Sequence, residues 1–272
     1  MKLAFIGGGN MAQALMVGLK NQQFIMADIT VVELDADKRM ALQTNLGIIT
    51  TAQLADIIAC DVIVLAVKPQ QLRALATSLA PFLSNQLVIS IAAGIRLIDL
   101  SRWLGNYQYI VRCMPNTPAQ IQAGVTGLFA MPQVSSTHIA MADTVLKAAG
   151  STLWLDSEEK LDAVTAISGS GPAYVFYLIE ALIDAATKLG LTLAEAKQLS
   201  IATFKGASLL AEISTVPIAT LRVQVTSKGG TTEQGLLSLE QSQVKQAILL
   251  AVQQANNRAK TLGIELGGSN VG

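Results

Sequence analysis

Directly behind the apolar run KLAFI the chain reads GGGNMA and then passes into a helical pattern, QALMVGLK. This succession of strand, glycine turn and helix restricts the fold more than any other feature of the sequence. Gly7, Gly9 and Ala12 have G-x-G-x-x-A spacing. The first glycine permits a tight turn, the second lets a pyrophosphate approach the backbone, and the small third residue lets helix pack on strand. The start of such a helix presents free amides to an anion. A second β-rich run, TVVEL, contains Glu33, at the distance from Gly9 where an acid accepting from a ribose hydroxyl is expected. These features predict a dinucleotide site. Glu33 and Asp35 would accept from a 2′-hydroxyl and repel a 2′-phosphate, which favours NADH over NADPH, whereas Lys38 and Arg39 nearby weigh the other way.

The same alternation continues to residue 156: VIVLAV, LVISIAA, YIVRCM, VTGLFA and TLWLD are separated by helix-like segments. It predicts a doubly wound, mostly parallel α/β sheet. Several runs are apolar at every position, as strands covered on both faces are. Beyond residue 157 helical spacing takes over in PAYVFYLIEALIDAATKLG, TLAEAKQLSIATFKGASLLAEI and QVKQAILLAVQQANNRAKTLG, the first opening on Pro172 and stopping at Gly190. The expected division is a dinucleotide-binding domain over residues 1–158 and an all-α domain over 159–272. The glycine-rich tail LGGSNVG is expected to fray.

Charge narrows the partners. The balance of 19 basic and 19 acidic residues, without a block of either sign, argues against nucleic acid and against a membrane-seeking face. Runs such as VIVLAV and LVISIAAGI fall short of the ~20 residues of a membrane helix. An opening lysine and apolar run prompt the idea of a secretory signal, but GGGN splits the run and no cleavage pattern follows. With 51% apolar and 14% charged residues, part of the surface is expected to be covered by a second subunit. Cys60 and Cys113 lie far apart without metal-like spacing, so free thiols, no metal site and a reducing, cytoplasmic compartment are expected. The single histidine, His138, falls near a helix start and is expected to be exposed.

Two polar stretches interrupt the helical half. In TSKGGTTEQG, residues 226–235, Gly229 and Gly230 allow close approach of the backbone, and Thr231 and Thr232 stand at the start of the helix TEQGLLSLEQ. Free amides there suit a carboxylate; alternatively, Thr231 and Gln234 form a capping box that merely joins two helices. In SGSGPAY, Ser168 to Gly171 present amides and hydroxyls to a ligand or simply let helices pack, while Tyr174 and Tyr177 read as packing residues.

VIVLAVKPQQL, CMPNTP, ISGSGPAYVF and TSKGGTTEQG, in this order from about Leu3 to Leu262, resemble the motifs of the pyrroline-5-carboxylate reductase family. The resemblance implies a Rossmann domain followed by a helical domain that interlocks with a second subunit, in a homo-oligomer built from dimers. It implies an NAD(P)H-dependent oxidoreductase that reduces 1-pyrroline-5-carboxylate to L-proline. It also implies that Ile6, Gly7, Gly8, Gly9, Asn10 and Met11 lie along the cofactor, with Ala66, Val67, Lys68 and Pro69 at one strand end and Ile91, Ala92 and Ala93 at the next. Asn116 holds the nicotinamide end or simply closes a turn. Ser227, Gly230, Thr231 and above all Thr232, the candidate catalytic residue, stand against the substrate carboxylate, beside Gly229. The chain departs from the family at Glu33, Leu34 and Asp35, where members that favour NADPH often show an Asn-Arg-Ser-like turn, and at Lys228, where many have proline. The other readings are a 3-hydroxyacid dehydrogenase-like enzyme, whose base is a lysine early in the interdomain helix, and a dinucleotide-binding protein without catalysis. Here that helix offers no lysine before Lys188.

Overall fold

A computed structural model describes residues 1–268. In chain order its elements are β1 (Leu3–Ile6), α1 (Asn10–Asn21), β2 (Ile29–Val32), α2 (Ala36–Leu46), β3 (Ile49–Thr51), β4 (Val62–Leu65), α3 (Pro69–Leu79), β5 (Leu87–Ser90) and α4 (Leu97–Trp103). They continue with β6 (Ile110–Met114), β7 (Gly124–Ala130), α5 (Ser136–Lys147), β8 (Gly150–Trp154), α6 (Lys160–Val164) and α7 (Gly171–Lys188). The last are α8 (Leu193–Ile213), α9 (Ile218–Gln224), α10 (Thr231–Gln241) and α11 (Val244–Gly267).

The strands form one sheet in the order β3-β2-β1-β4-β5-β6-β7-β8. Those from β3 to β6 are parallel, β7 is antiparallel to β6, and β8 runs parallel to β7. Each expected run supplies a strand, though TVVEL stops at Val32, and β3 was not expected at all. Alternate residues of each central strand point into different cores. Leu3, Phe5, Val62, Val64, Leu87 and Ile89 pack with Leu15 and Met16 of α1 on one face. Ala4, Ile6, Ile63, Leu65 and Val88 pack with Leu72 and Leu79 of α3 on the other. All of these are essentially excluded from solvent, which is why the sequence is apolar at every position there.

The chain forms two compact units, one comprising Met1–Ser170 together with the chain from Ala255 onward, the other Gly171–Gln254. In this division by compactness α6 belongs to the first unit. Its Leu161 is fully buried, and Val164 packs so closely on Gly127 that a Cβ there would come within 2.8 Å. The final turns of α11 belong to the same unit. Gly263 lies on the Gly94 carbonyl and Gly267 on the Asp99 carboxylate, and Arg102 Nη2 donates to Gly267 O at 3.3 Å. Of the tail expected to fray, Leu266 and Gly267 are helical, whereas Ser269 to Gly272 lie outside the described residues.

One charged group lies inside the first unit. Arg112 on β6, 5% exposed, pairs with Glu158 at 2.7 Å and faces Asp162 at 3.9 Å, and the same Glu158 oxygen accepts from the Leu97 amide at 2.7 Å. Nearer the surface, Asp143 joins α5 to β8, its Oδ1 accepting from Thr152 Oγ1 at 3.1 Å and Trp154 Nε1 at 3.0 Å while Oδ2 meets Lys147 Nζ at 2.8 Å. Burial pushes its carboxyl up, but hydrogen bonds from Lys147, Trp154 and Thr152 outweigh this and hold it below the usual carboxylate range. A lowered carboxyl stabilises the fold above its unfolded pKa, and that contribution is lost as pH falls through the folded one. Asp143→Asn is therefore expected to be less stable than the parent at neutral pH by about 0.5–1 kcal/mol. The gap should close below roughly pH 4. Urea unfolding at both pH values checks this, and a gap that widens in acid would refute it.

The second unit is organised differently. Ala196 and Ser200 are its buried residues, while Phe176 is 66%, Tyr177 72%, Leu189 86% and Ile213 78% exposed. Its first helix belongs to a helical stretch of 29 residues, Lys160–Lys188, long and apolar enough to cross a membrane by length and composition. No unbroken apolar run within it approaches ~20 residues. The stretch contains a wide turn at Thr165–Gly169, a bend at Ser170 and the acids Asp162, Glu180 and Asp184.

Candidate active site

Because β1 to β6 are parallel, their carboxyl ends share one rim of the sheet. From β1 the chain proceeds to β2 on one side, and from β4 to β5 on the other, so a crevice opens between β1 and β4. Gly7 stands at its mouth. Its φ is +101°, its N–H donates to Val32 O at 2.9 Å, and a Cβ would approach Ala66 O to 2.7 Å, so a side chain is excluded twice over. Gly8 donates to Glu33 Oε2 at 3.1 Å and accepts from Gln13 Nε2 at 2.8 Å. Gly9 is the N-cap of α1, which has no side-chain cap and no acid in its first turn. A Cβ on Gly9 would meet nothing within 4 Å. This open approach to uncapped amides fits a diphosphate. Behind it the fully buried Ala12 packs on the sheet, while Asn10 is exposed and Met11 half-buried.

The acids beyond β2 hold the backbone. Glu33 accepts from the Gly8 amide and, at 3.2 Å, from the Asp35 amide, and Asp35 caps α2 by accepting from Asp37 and Lys38 at 3.0 and 3.1 Å. Arg39 Nη1 donates to the carbonyls of Glu33 and Leu34 at 2.7 and 2.9 Å. Beside β1, Ala66 N donates to Ile6 O at 2.9 Å; Lys68 is the exposed N-cap of α3, with Pro69 in the first turn. Ile91 N donates to Leu65 O at 3.3 Å and Ala92 N to Ser90 Oγ at 3.4 Å. Residues 6–12, 66–69 and 91–93 thus meet on one rim.

Asn116 follows the end of β6 and is 8% exposed. Its Oδ1 accepts from Val125 N at 2.9 Å and its Nδ2 donates to Ser168 O at 3.1 Å. Beside it, Gly169 sits so close to Met114 that a Cβ would come within 2.6 Å of its Cε. These contacts bring Ser168 and Gly169 to the same rim. His138 is half-buried rather than exposed. Its ring centroid lies 5.4 Å from that of Tyr109, and its backbone amide donates to the N-cap Ser135 Oγ at 3.2 Å. Burial pushes the Cys113 thiol well above its usual range, with Arg112 opposing, so it stays protonated and inert.

In the second unit, TSKGGTT forms one turn between α9 and α10. Gly229 has φ +73°, which favours glycine, and its N–H donates to Glu233 Oε2 at 2.7 Å; Gly230 N donates to Ser227 O at 3.0 Å. Gly230 is the N-cap of α10 and offers no side-chain bond, so Thr231 and Thr232 occupy the first two helical positions. A capping box from Thr231 is therefore not formed. Glu233 reaches back to Gly229 instead, and the Thr231 and Thr232 side chains are exposed, as are Ser227 and Lys228. The turn gathers Ser227, Gly229, Gly230, Thr231 and Thr232 around a helix start suited to a small anion.

Comparison with known proteins covers nearly the whole chain. Residues 158–262 match a family model described as pyrroline-5-carboxylate reductase dimerisation, and residues 2–94 match one described as NADP oxidoreductase, coenzyme F420-dependent. The pyrroline-5-carboxylate reductase of Pseudomonas aeruginosa is 43% identical over 98% of each chain. That of Haemophilus influenzae is 38% identical over 96% of this chain and 97% of its own. Among solved structures, a pyrroline-5-carboxylate reductase from Coxiella burnetii superposes with a TM-score of 0.92 at 40% identity, covering 96% of this chain and 98% of its own. One from Plasmodium falciparum with NADP bound has a TM-score of 0.86 at 32% identity, covering 97% and 98%.

Proposed function

Since the chain belongs to the pyrroline-5-carboxylate reductase family, we propose that it reduces 1-pyrroline-5-carboxylate to L-proline, the final step of proline biosynthesis. The observation that carries this reading is the full-length likeness to curated reductases, with two anion-ready helix starts at α1 and α10. A bound reduced nicotinamide dinucleotide supplies the hydride. Ile6, Gly7, Gly8, Gly9, Asn10 and Met11 lie along its diphosphate, above the cofactor-loop residue Ala12 that packs on the sheet, and Glu33 faces its ribose. Backbone at Ala66, Val67, Lys68, Pro69, Ile91, Ala92 and Ala93 lines the rest of the crevice.

Ser227, Gly229, Gly230, Thr231 and Thr232 take the substrate carboxylate on bare amides and on the Thr232 hydroxyl. Fixing that end of a small ring aims its imine carbon, so orientation does most of the catalytic work. The imine nitrogen takes its proton from solvent or a hydroxyl, and a dedicated histidine is not needed. A 3-hydroxyacid dehydrogenase is disfavoured because α7 has no lysine before its last residue, Lys188.

Residues 159–272 serve as the substrate-binding and dimerisation domain and 1–158 as the Rossmann domain. The exposed apolar side chains of α7 and α8 fit a second copy of the chain better than water, in a homo-oligomer built from dimers. Two buried free thiols suit a reducing cytoplasm. For the cofactor, Glu33 and Asp35 at the end of β2 favour NADH. Assaying the purified protein with the imine and each cofactor in parallel tests both points. Turnover with a higher kcat/KM for NADH is expected; no oxidation of either cofactor removes the function, and a higher kcat/KM for NADPH removes the preference alone.

A further inference from the structure

Helical residues run from α6 into α7 through the wide turn at Thr165–Gly169, in which the Ser170 amide bonds five residues back to Thr165 O at 2.8 Å. Such wide turns are rare inside helices and are frequently found at functional sites. An ordinary α-helix would close each carbonyl on the amide four residues ahead. For Ser168 that residue is Pro172, which has no N–H and whose ring would press on that carbonyl. The carbonyl is instead taken by Asn116 Nδ2 at 3.1 Å, from a side chain 8% exposed and held at its other end by the Val125 amide at 2.9 Å.

We propose that Asn116 and Pro172 act together as a positioning pair: proline denies Ser168 its helical partner, asparagine supplies a substitute from the β6 end, and the wide turn is thereby held open on the rim. Its function is to set Ser168, Gly169 and Ser170 beside the crevice in one orientation. Asn116 is thus a positioning residue. Three observations agree with a fixed turn. Gly169 packs against the Met114 methyl, which a Cβ would meet at 2.6 Å, Ser168 Oγ is tied to Val164 O at 3.0 Å, and Thr165 Oγ1 to Leu161 O at 2.8 Å. The Thr165 and Ser168 hydroxyls are thus taken up by carbonyls of their own helix, which leaves the backbone of Gly169 and the whole of Ser170 as the surface that the turn presents.

The inference rests on imine reduction by this chain, so the parent enzyme is assayed beside each variant; an inactive parent removes the function itself. Pro172→Ala restores an amide where Ser168 O can use it and keeps Asn116. It is expected to hold or raise the thermal midpoint while kcat for the imine falls roughly ten- to a hundredfold, the scale of a small misplacement at a reacting centre. Asn116→Asp keeps an acceptor for Val125 but loses the donor, and is expected to lower both midpoint and kcat. In the double variant the restored amide should recover the midpoint and leave kcat low. A Pro172→Ala enzyme with parental kcat, or a double variant in which activity returns together with stability, overturns the proposal.

Discussion

Arg112→Ala is expected to lower the unfolding free energy by about 3–5 kcal/mol, the range found when one partner of a buried ion pair is removed. The side chain is 7% exposed and faces two carboxylates, Glu158 at 2.7 Å and Asp162 at 3.9 Å. Its loss strands both acids against the sheet. Removing a charge is worse than never having had the pair, because the remaining groups keep their desolvation penalty without compensation. Glu158→Gln should cost less: an amide oxygen still accepts from Leu97 N and from Arg112. Urea denaturation reads the difference as a shift in midpoint at unchanged slope. A loss below about 1 kcal/mol would show that water reaches the carboxylates and that the pair behaves as a surface one.

Thr232→Val is expected to reduce kcat/KM for the imine by about 1.5–3 kcal/mol, or roughly ten- to 150-fold, while the dissociation constant of the cofactor stays unchanged. Valine keeps the shape and removes one hydrogen bond to a charged ligand. The effect should be confined to substrate because the hydroxyl at the start of α10 is assigned to the substrate carboxylate. Gly230 offers no side-chain cap, so the α10 amides remain for a ligand, and the variant isolates the hydroxyl from them. Titration of the cofactor and steady-state kinetics are done on the same sample. Loss of cofactor affinity with intact kcat/KM at saturation would place the hydroxyl elsewhere in the reaction.

Much of the architecture was legible because the signals were local. Four-residue strands such as Val62–Leu65, buried at every position, leave an unmistakable apolar block, and the glycine turn after β1 is dictated by a +101° φ and an approach that no side chain survives. Long helices with Gly or Pro at their ends were equally plain. What escaped depended on contacts across the chain. Ile49–Thr51 is a three-residue edge strand with two threonines, too short for an alternating pattern. Glu33 reads as a ribose acceptor by spacing, yet its oxygens also hold the amides of Gly8 and Asp35, which only the folded turn makes neighbours. His138 was misjudged because the Tyr109 ring that covers it lies on the loop before β6. The packing of α6 was hidden for the same reason: it looks like any helical segment until Leu161 and Val164 are seen against the sheet.

The reversal of β7 and β8 has a mechanical outcome. Since β8 points away from the rim that the other strands share, the chain leaves the sheet heading in the wrong direction and must double back along β6 to return to it. The stretch from Glu158 to Ser168 is this return journey, riveted to β6 near its outset by Arg112 and near its finish by Asn116. Loosening the first rivet should therefore slacken the second, so that an ion pair with no part in the chemistry governs how firmly the crevice wall is braced.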